Sequence, residues 1–64
     1  MNSATATPTP ADLRALIARH RIVVYRLAAV VGVSPNRLSA MLNEHAPMPP
    51  ELSVTIERTI MENR

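Results

Sequence analysis

The sequence predicts a small all-α protein, a bundle of four or five short helices within one domain, residues 9–64. Apolar residues recur at helical spacing, as at Leu13, Leu16 and Ile17. The chain has 64 residues and no cysteine, so neither disulfides nor thiolate–metal sites can stabilise it. Tyr25 is its single aromatic residue, which leaves Leu, Ile, Val and Met to form the core.

The first helix is predicted over residues 10–20. Thr9 fits the N-cap position, Pro10 the first helical position and Asp12 the acidic third position. The residues expected to face the core are Leu13, Leu16, Ile17 and His20. Residues 1–8 are uncharged and rich in Ser, Thr, Ala and Pro, and they are predicted to be a flexible tail.

Two further helices, 24–31 and 35–42, are predicted on either side of the only glycine in the chain. Gly32 stands where a helix commonly ends in the left-handed conformation, which glycine adopts without strain. Ser34 and Pro35 fit the N-cap and first position of the next helix. The residues expected to be buried are Leu27, Ala28, Val31, Leu38, Met41 and Leu42.

The second of these helices is expected to end at Asn43, with this residue in the left-handed conformation. Three prolines within residues 44–50 preclude a helix there and predict an extended link. The last helix is predicted over residues 50–62. Its inward face is expected to be Leu52, Ile56 and Ile60. Val54 and Met61 then point away from the core, roughly opposite to that face.

The positive charge of the chain is concentrated in one segment. Residues 13–43 contain five arginines and no Asp or Glu, although the formal net charge of the whole chain is only +2. Such a segment is typical of a phosphate-binding surface, and a solvated arginine-rich face is the alternative. No run approaches the roughly 18 apolar residues of a membrane span, and the N-terminus does not resemble a signal peptide, so a cytoplasmic protein is expected.

The two middle helices and their turn also resemble a known family in residue type and spacing. The residues concerned are Leu27, Ala28, Gly32, Val33, Ser34, Leu38, Ser39 and Asn43. Their pattern resembles the lambda-repressor-like (Cro-type) family of helix-turn-helix DNA-binding domains, over roughly residues 13–60. A generic pair of packed helices is the alternative. Val23 and Val24 depart from the family, which usually has a small polar cap and a phosphate-binding glutamine there.

The resemblance implies that helix 35–42 lies in the major groove of double-stranded DNA. The residues expected to read bases are Pro35, Asn36, Arg37, Ser39 and Ala40. Asn36 can bond adenine and Arg37 guanine, although Arg37 can equally contact a phosphate. The residues expected to contact phosphates are Arg19, Arg21, Tyr25, Arg26, Ser34 and Asn43. Tyr25 and Arg26 are possible replacements for the missing glutamine.

The expected function is that of a sequence-specific transcriptional repressor of the phage Cro or immunity type. Such proteins usually bind pseudo-palindromic operators as two-fold dimers. A weak homodimer is expected. The alternative is a monomer in solution that dimerises only on DNA. Its interface is predicted to comprise Val54, Glu57, Arg58 and Met61.

Two alternatives remain open at the level of the sequence. One is an antitoxin-like autorepressor that also binds a toxin; the other is a protein-interaction module that has the fold but does not bind DNA. Catalysis is not expected, because no nucleophile has a partner base and no Gly-rich phosphate loop occurs. His20 and His45 have no ligands at metal-binding spacing, so neither a metal, a cofactor nor a small-molecule ligand is expected.

Overall fold

Four helices and no strand make up residues 7–62, the part of the chain that the computed structural model describes. The helices are α1 (Pro10–His20), α2 (Val24–Val31), α3 (Pro35–Leu42) and α4 (Pro50–Glu62). These bounds agree with those expected from the sequence, and the predicted all-α fold class is confirmed.

A single aliphatic core lies between the four helices, and each helix contributes to it. Both α1 and α2 pack against α4, and α3 packs against α1 and α2. The buried apolar residues are Leu13, Leu27, Ala28, Leu38, Met41, Leu42, Ile56 and Ile60. The expected inward residues Leu16, Ile17, Val31 and Leu52 are half-buried and surround this core.

The start of α1 is fixed by a reciprocal cap. The Asp12 backbone N–H donates to the Thr9 hydroxyl and the Thr9 backbone N–H donates to the Asp12 carboxylate, each at 3.1 Å. Pro8, expected to belong to the flexible tail, is instead buried. Its carbonyl accepts a hydrogen bond from the buried hydroxyl of Ser53 on α4, so the packed domain begins at Pro8. In the rest of the predicted tail, Thr7 is exposed, and residues 1–6 lie outside the described residues.

Three helices are followed, within two residues, by a residue in the left-handed conformation. These residues are Arg21 (φ 55°), Gly32 (φ 80°) and Glu44 (φ 64°). In each case the following backbone N–H donates to a carbonyl five residues earlier: Ile22 to Ile17 at 2.9 Å, Val33 to Ala28 at 3.0 Å and His45 to Ala40 at 2.8 Å. This arrangement satisfies carbonyls that a helix end would otherwise leave unpaired.

The prediction that Asn43 adopts the left-handed conformation is wrong. Its φ is −91°, because its N–H still donates to the Ser39 carbonyl at 3.0 Å and so continues the last turn of α3. The reversal falls one residue later, on Glu44. An asparagine near a helix end therefore located the end of α3 but not the residue at which the chain reverses.

Candidate nucleic-acid interface

The junction between α2 and α3 consists of Gly32, Val33 and Ser34, and local hydrogen bonds fix it. The backbone N–H groups of Gly32 and Val33 both donate to the Ala28 carbonyl, at 2.9 and 3.0 Å. The Ser34 hydroxyl then accepts from the Arg37 N–H at 3.2 Å, which caps α3 as predicted. Ala28 itself is fully buried. The direction in which α3 leaves the turn is therefore set by this backbone pattern and by the packing around Ala28.

The α3 helix has one buried side and one outer side. Leu38, Met41 and Leu42 face the core. Asn36, Arg37 and Ser39 are exposed, whereas Pro35 and Ala40 are half-buried. At about 100° per residue, Asn36 and Ala40 lie only about 40° apart near the centre of the outer side. Ser39 lies toward one edge of that side and Arg37 toward the other, so four of the five predicted base-reading residues share the outer side of α3. Pro35 lies only about 20° from the buried Leu42 and so stands at the border with the core-facing side.

The C-terminal end of α3 is held by Arg14 of α1. The Arg14 guanidinium donates to the Leu42 carbonyl and lies 3.6 Å from the Glu44 carboxylate. The Arg14 and Glu44 side chains are 44% and 61% exposed, so the ion pair itself adds little stability. Arg14 instead fixes α3 by satisfying one of its terminal carbonyls. From the sequence alone, Arg14 is interpreted only as a surface charge. No local pattern reveals a hydrogen-bond partner that lies 28 residues away, as the Leu42 carbonyl does.

The structure separates the predicted phosphate contacts into groups. Arg21 and Arg26 line one groove, between the α1–α2 junction, α2 and the end of α4, to which α3 contributes no residue. Asn43 lies beside Ser39, with its side-chain amide donating to the Ser39 hydroxyl at 3.4 Å, and both line a hollow between α1, α2 and α3.

The remaining three phosphate candidates are spread over the surface. Ser34 lies in the α2–α3 turn next to the base-reading surface. Arg19 is exposed near the end of α1, and Tyr25 is 70% exposed in the first turn of α2. Of the six predicted phosphate contacts, only Ser34 and Asn43 therefore lie next to α3.

Four of the five arginines in residues 13–43 form no ion pair with another residue of the described chain. Within residues 7–62 the single ion pair is Arg14–Glu44. The four arginines without such a partner are Arg19, Arg21, Arg26 and Arg37, and all are exposed. Their charge is not neutralised locally, so this segment presents a positive potential to solvent.

The predicted dimer residues lie on α4, away from the core. Val54 and Met61 are 39% and 48% exposed, as expected for side chains that point outward. Glu57 is half-buried and Arg58 is exposed between them. Pairing of this surface with a second copy stays a prediction.

The described residues contain neither a cluster of metal ligands nor a membrane span. Across residues 7–62, no three His, Cys, Asp or Glu side chains lie close enough together to bind a metal ion. None of the helices in that range is both long and apolar enough to cross a lipid bilayer.

Comparison of the chain with protein-family models, curated proteins and solved structures found no match.

Proposed function

We propose that the protein is a sequence-specific double-stranded DNA-binding transcriptional regulator that inserts α3 into the major groove. One observation carries the proposal: a helix with a polar outer side is fixed by a capped junction, within a segment in which four of five arginines form no ion pair with any residue of the range 7–62. The major groove admits a helix of this size. The resemblance of the α2–α3 sequence to lambda-repressor-like domains supports the same interpretation.

The centre of the α3 surface supplies the base contacts in this proposal. Asn36 can bond the N6 and N7 atoms of adenine, which contributes about 1–3 kcal/mol of discrimination. Ala40, about one turn further, can only pack against an apolar group such as a thymine methyl. Arg37 lies toward the edge of the surface, where both a guanine and a phosphate are within reach of a long side chain. With so few polar readers, DNA shape and bridging water contribute to specificity.

Phosphate contacts orient α3 on the duplex. Ser34 and Asn43 lie at the two ends of α3. The exposed Arg19 extends the positive surface onto α1, and the exposed Tyr25 adds a hydroxyl on α2. Arg14 has a positioning role, because its bond to the Leu42 carbonyl ties α3 to α1. Loss of Arg14 should therefore weaken binding to all sequences alike.

The regulator acts as a repressor by occupying its operator. A pseudo-palindromic operator would bring two copies together, with Val54 and Met61 on α4 as the apolar part of a weak interface. Because this interface is small, dimerisation is expected mainly on DNA. Met61→Glu should lower the affinity for a two-site operator without changing the affinity for a single half-site.

Selection of bound fragments from random duplex DNA at moderate salt tests binding and sequence preference together. We expect the selected fragments to share a short sequence, and we expect the affinity of the protein for DNA to fall steeply between about 50 and 200 mM salt. Asn36→Ala should relax the preference at one base position, whereas Thr55→Ala, an exposed change on α4, serves as the control. Affinity that is flat with salt, or an unchanged preferred sequence for Asn36→Ala, would contradict the proposal.

A further inference from the structure

The groove between α2 and α4 is separate from the outer side of α3. It has a volume of about 300 Å³, and its residues come from the α1–α2 junction, α2 and the end of α4. Val23 and Val30 form part of its wall, and they are 55% and 65% exposed. Leu27 and Ile60 reach it from the core. Neither valine belongs to the hydrophobic core. The packing of the domain therefore does not explain why apolar side chains stand at these two exposed positions.

The polar character of this groove comes from two guanidinium groups. Arg21 and Arg26 line it, and no carboxylate does. Neither arginine forms an ion pair within residues 7–62. The hydroxyl of Thr59, the third polar residue of the groove, already donates to the Thr55 carbonyl at 2.8 Å. An occupant that complements the groove therefore carries carboxylates next to bulky apolar side chains.

We propose that the α2–α4 groove binds an acidic amphipathic segment of a partner protein. A second copy related by a two-fold axis at the groove is disfavoured, because it would bring Arg21 and Arg26 of both copies together. Residues 1–6 of the chain itself contain no Asp or Glu and so do not complement the groove. Since no groove residue comes from α3, the proposal does not depend on DNA binding.

Occupation of the groove would also affect DNA binding if Arg21 and Arg26 contact phosphates as predicted. The same guanidinium groups cannot pair with a partner carboxylate and a phosphate at once. The partner would then compete with DNA, and the groove would be the site at which the proposed regulator is released.

A display library of random 16-residue peptides, selected on the immobilised full chain, tests the proposal and requires no candidate partner. The expected enriched peptides combine Asp or Glu with Leu, Phe or Trp. A synthetic peptide of the consensus sequence is then titrated against variants. Arg26→Ala and Arg21→Gly should each lower its affinity roughly two- to fivefold. Val30→Ser should lower it as well.

The variants have matched controls. Arg58→Glu and Val54→Ser change charge and apolar surface on α4 outside the groove, and both should bind the peptide like the parent. Arg21→Gly controls for folding, because glycine suits the left-handed conformation at this position. A loss of affinity in this variant therefore does not arise from unfolding. Asn36→Ala should keep peptide binding, so failure of the DNA proposal is distinguishable from failure of this one.

Several results would overturn the proposal. One such result is that no peptide is enriched more strongly on this protein than on an unrelated control protein. Another is that the enriched peptides lack acidic residues. Equal affinity of Arg21→Gly and the parent would exclude the groove. Self-association in sedimentation that Val30→Ser abolishes would identify a second copy as the occupant. Displacement of the peptide by phosphatidylserine vesicles, with tighter binding to the vesicles, would identify a lipid surface.

Discussion

The two junctions that flank α2 use the same backbone geometry with different residues. Both reverse the chain at a left-handed residue, Arg21 after α1 and Gly32 after α2. The second junction has residue types suited to this: a glycine at the reversal and the Ser34 hydroxyl as a cap of α3. The first has an arginine at the reversal, and Val23 at the N-cap of α2 provides no side-chain hydrogen bond.

This difference indicates that the two junctions serve different purposes. The α2–α3 junction fixes the direction of α3 and has little side-chain surface of its own. The α1–α2 junction is locally less stable than it could be, since a non-glycine left-handed residue costs about 1–2 kcal/mol. Its side chains, Arg21 and Val23, instead line the α2–α4 groove. Substitutions at and near the junctions test this comparison.

The largest effect is expected at Ala28, whose carbonyl accepts both hydrogen bonds of the α2–α3 turn. Ala28 is fully buried, so Ala28→Leu should overpack the core and destabilise the domain by roughly 1–3 kcal/mol. In a domain of this size, each kcal/mol corresponds to a drop in Tm of about 4–8 °C. Ala29→Leu, on the exposed side of the same helix, is the control and should melt near the parent. Equal melting of the two variants would show that the residues around Ala28 can move apart at little cost.

The next effect is expected at the reversal of the second junction. An added Cβ at Gly32 would meet no atom within 4 Å, so the cost of Gly32→Ala comes from its φ of 80° alone. Chemical denaturation should show a loss of about 1–2 kcal/mol. A loss well above this would reveal a steric contact that the structure does not contain.

A smaller loss is expected for Ser34→Ala, which removes the hydroxyl that accepts the Arg37 N–H. The loss should be about 1 kcal/mol in the free energy of unfolding. Ser34→Asp keeps an acceptor at the N-cap and should retain most of the stability. If Ser34→Asp loses as much as Ser34→Ala, the cap does not stabilise α3.

The smallest expected effect has the opposite sign. Arg21→Gly should stabilise the domain by up to about 1 kcal/mol, because relief of the left-handed strain exceeds the added entropy of the unfolded chain. Thermal unfolding of this variant beside Gly32→Ala gives the comparison directly. A lower Tm for Arg21→Gly would mean that the Arg21 side chain stabilises the first junction, and the contrast drawn between the two junctions would then be wrong.

The sequence predicted the helix bounds because strong local signals mark them. Thr9 with Pro10, Gly32, and Ser34 with Pro35 each fit one position at a helix end. Local signals could not reveal the contacts between distant segments. Arg14 bonds the end of α3, and Ser53 bonds the carbonyl of Pro8. In the sequence, each of these two residues appears as an ordinary polar position on its helix, because nothing in the sequence shows which segment packs against it.

The candidate nucleic-acid interface, like the fold, was predicted from the sequence only where local patterns define it. Helical spacing located the outer side of α3, because Leu38, Met41 and Leu42 define the opposite side. It did not show that Arg21 and Arg26 lie together on a groove with the end of α4, since that depends on how α2 packs on α4. Residue types favoured a phosphate role for both arginines, whereas the structure adds an apolar wall beside them.

The most direct test of the central claim is amide chemical-shift mapping of the ¹⁵N-labelled protein with the duplex selected from random DNA. The account predicts that the largest perturbations fall on Ser34, Asn36, Arg37, Ser39 and Ala40, and that the amides of Val54 and Thr55 remain unperturbed by a single half-site duplex. Perturbations centred on Val23, Val30 and Thr59, with the amides of α3 unchanged, would contradict it and leave the groove as the binding surface of the protein.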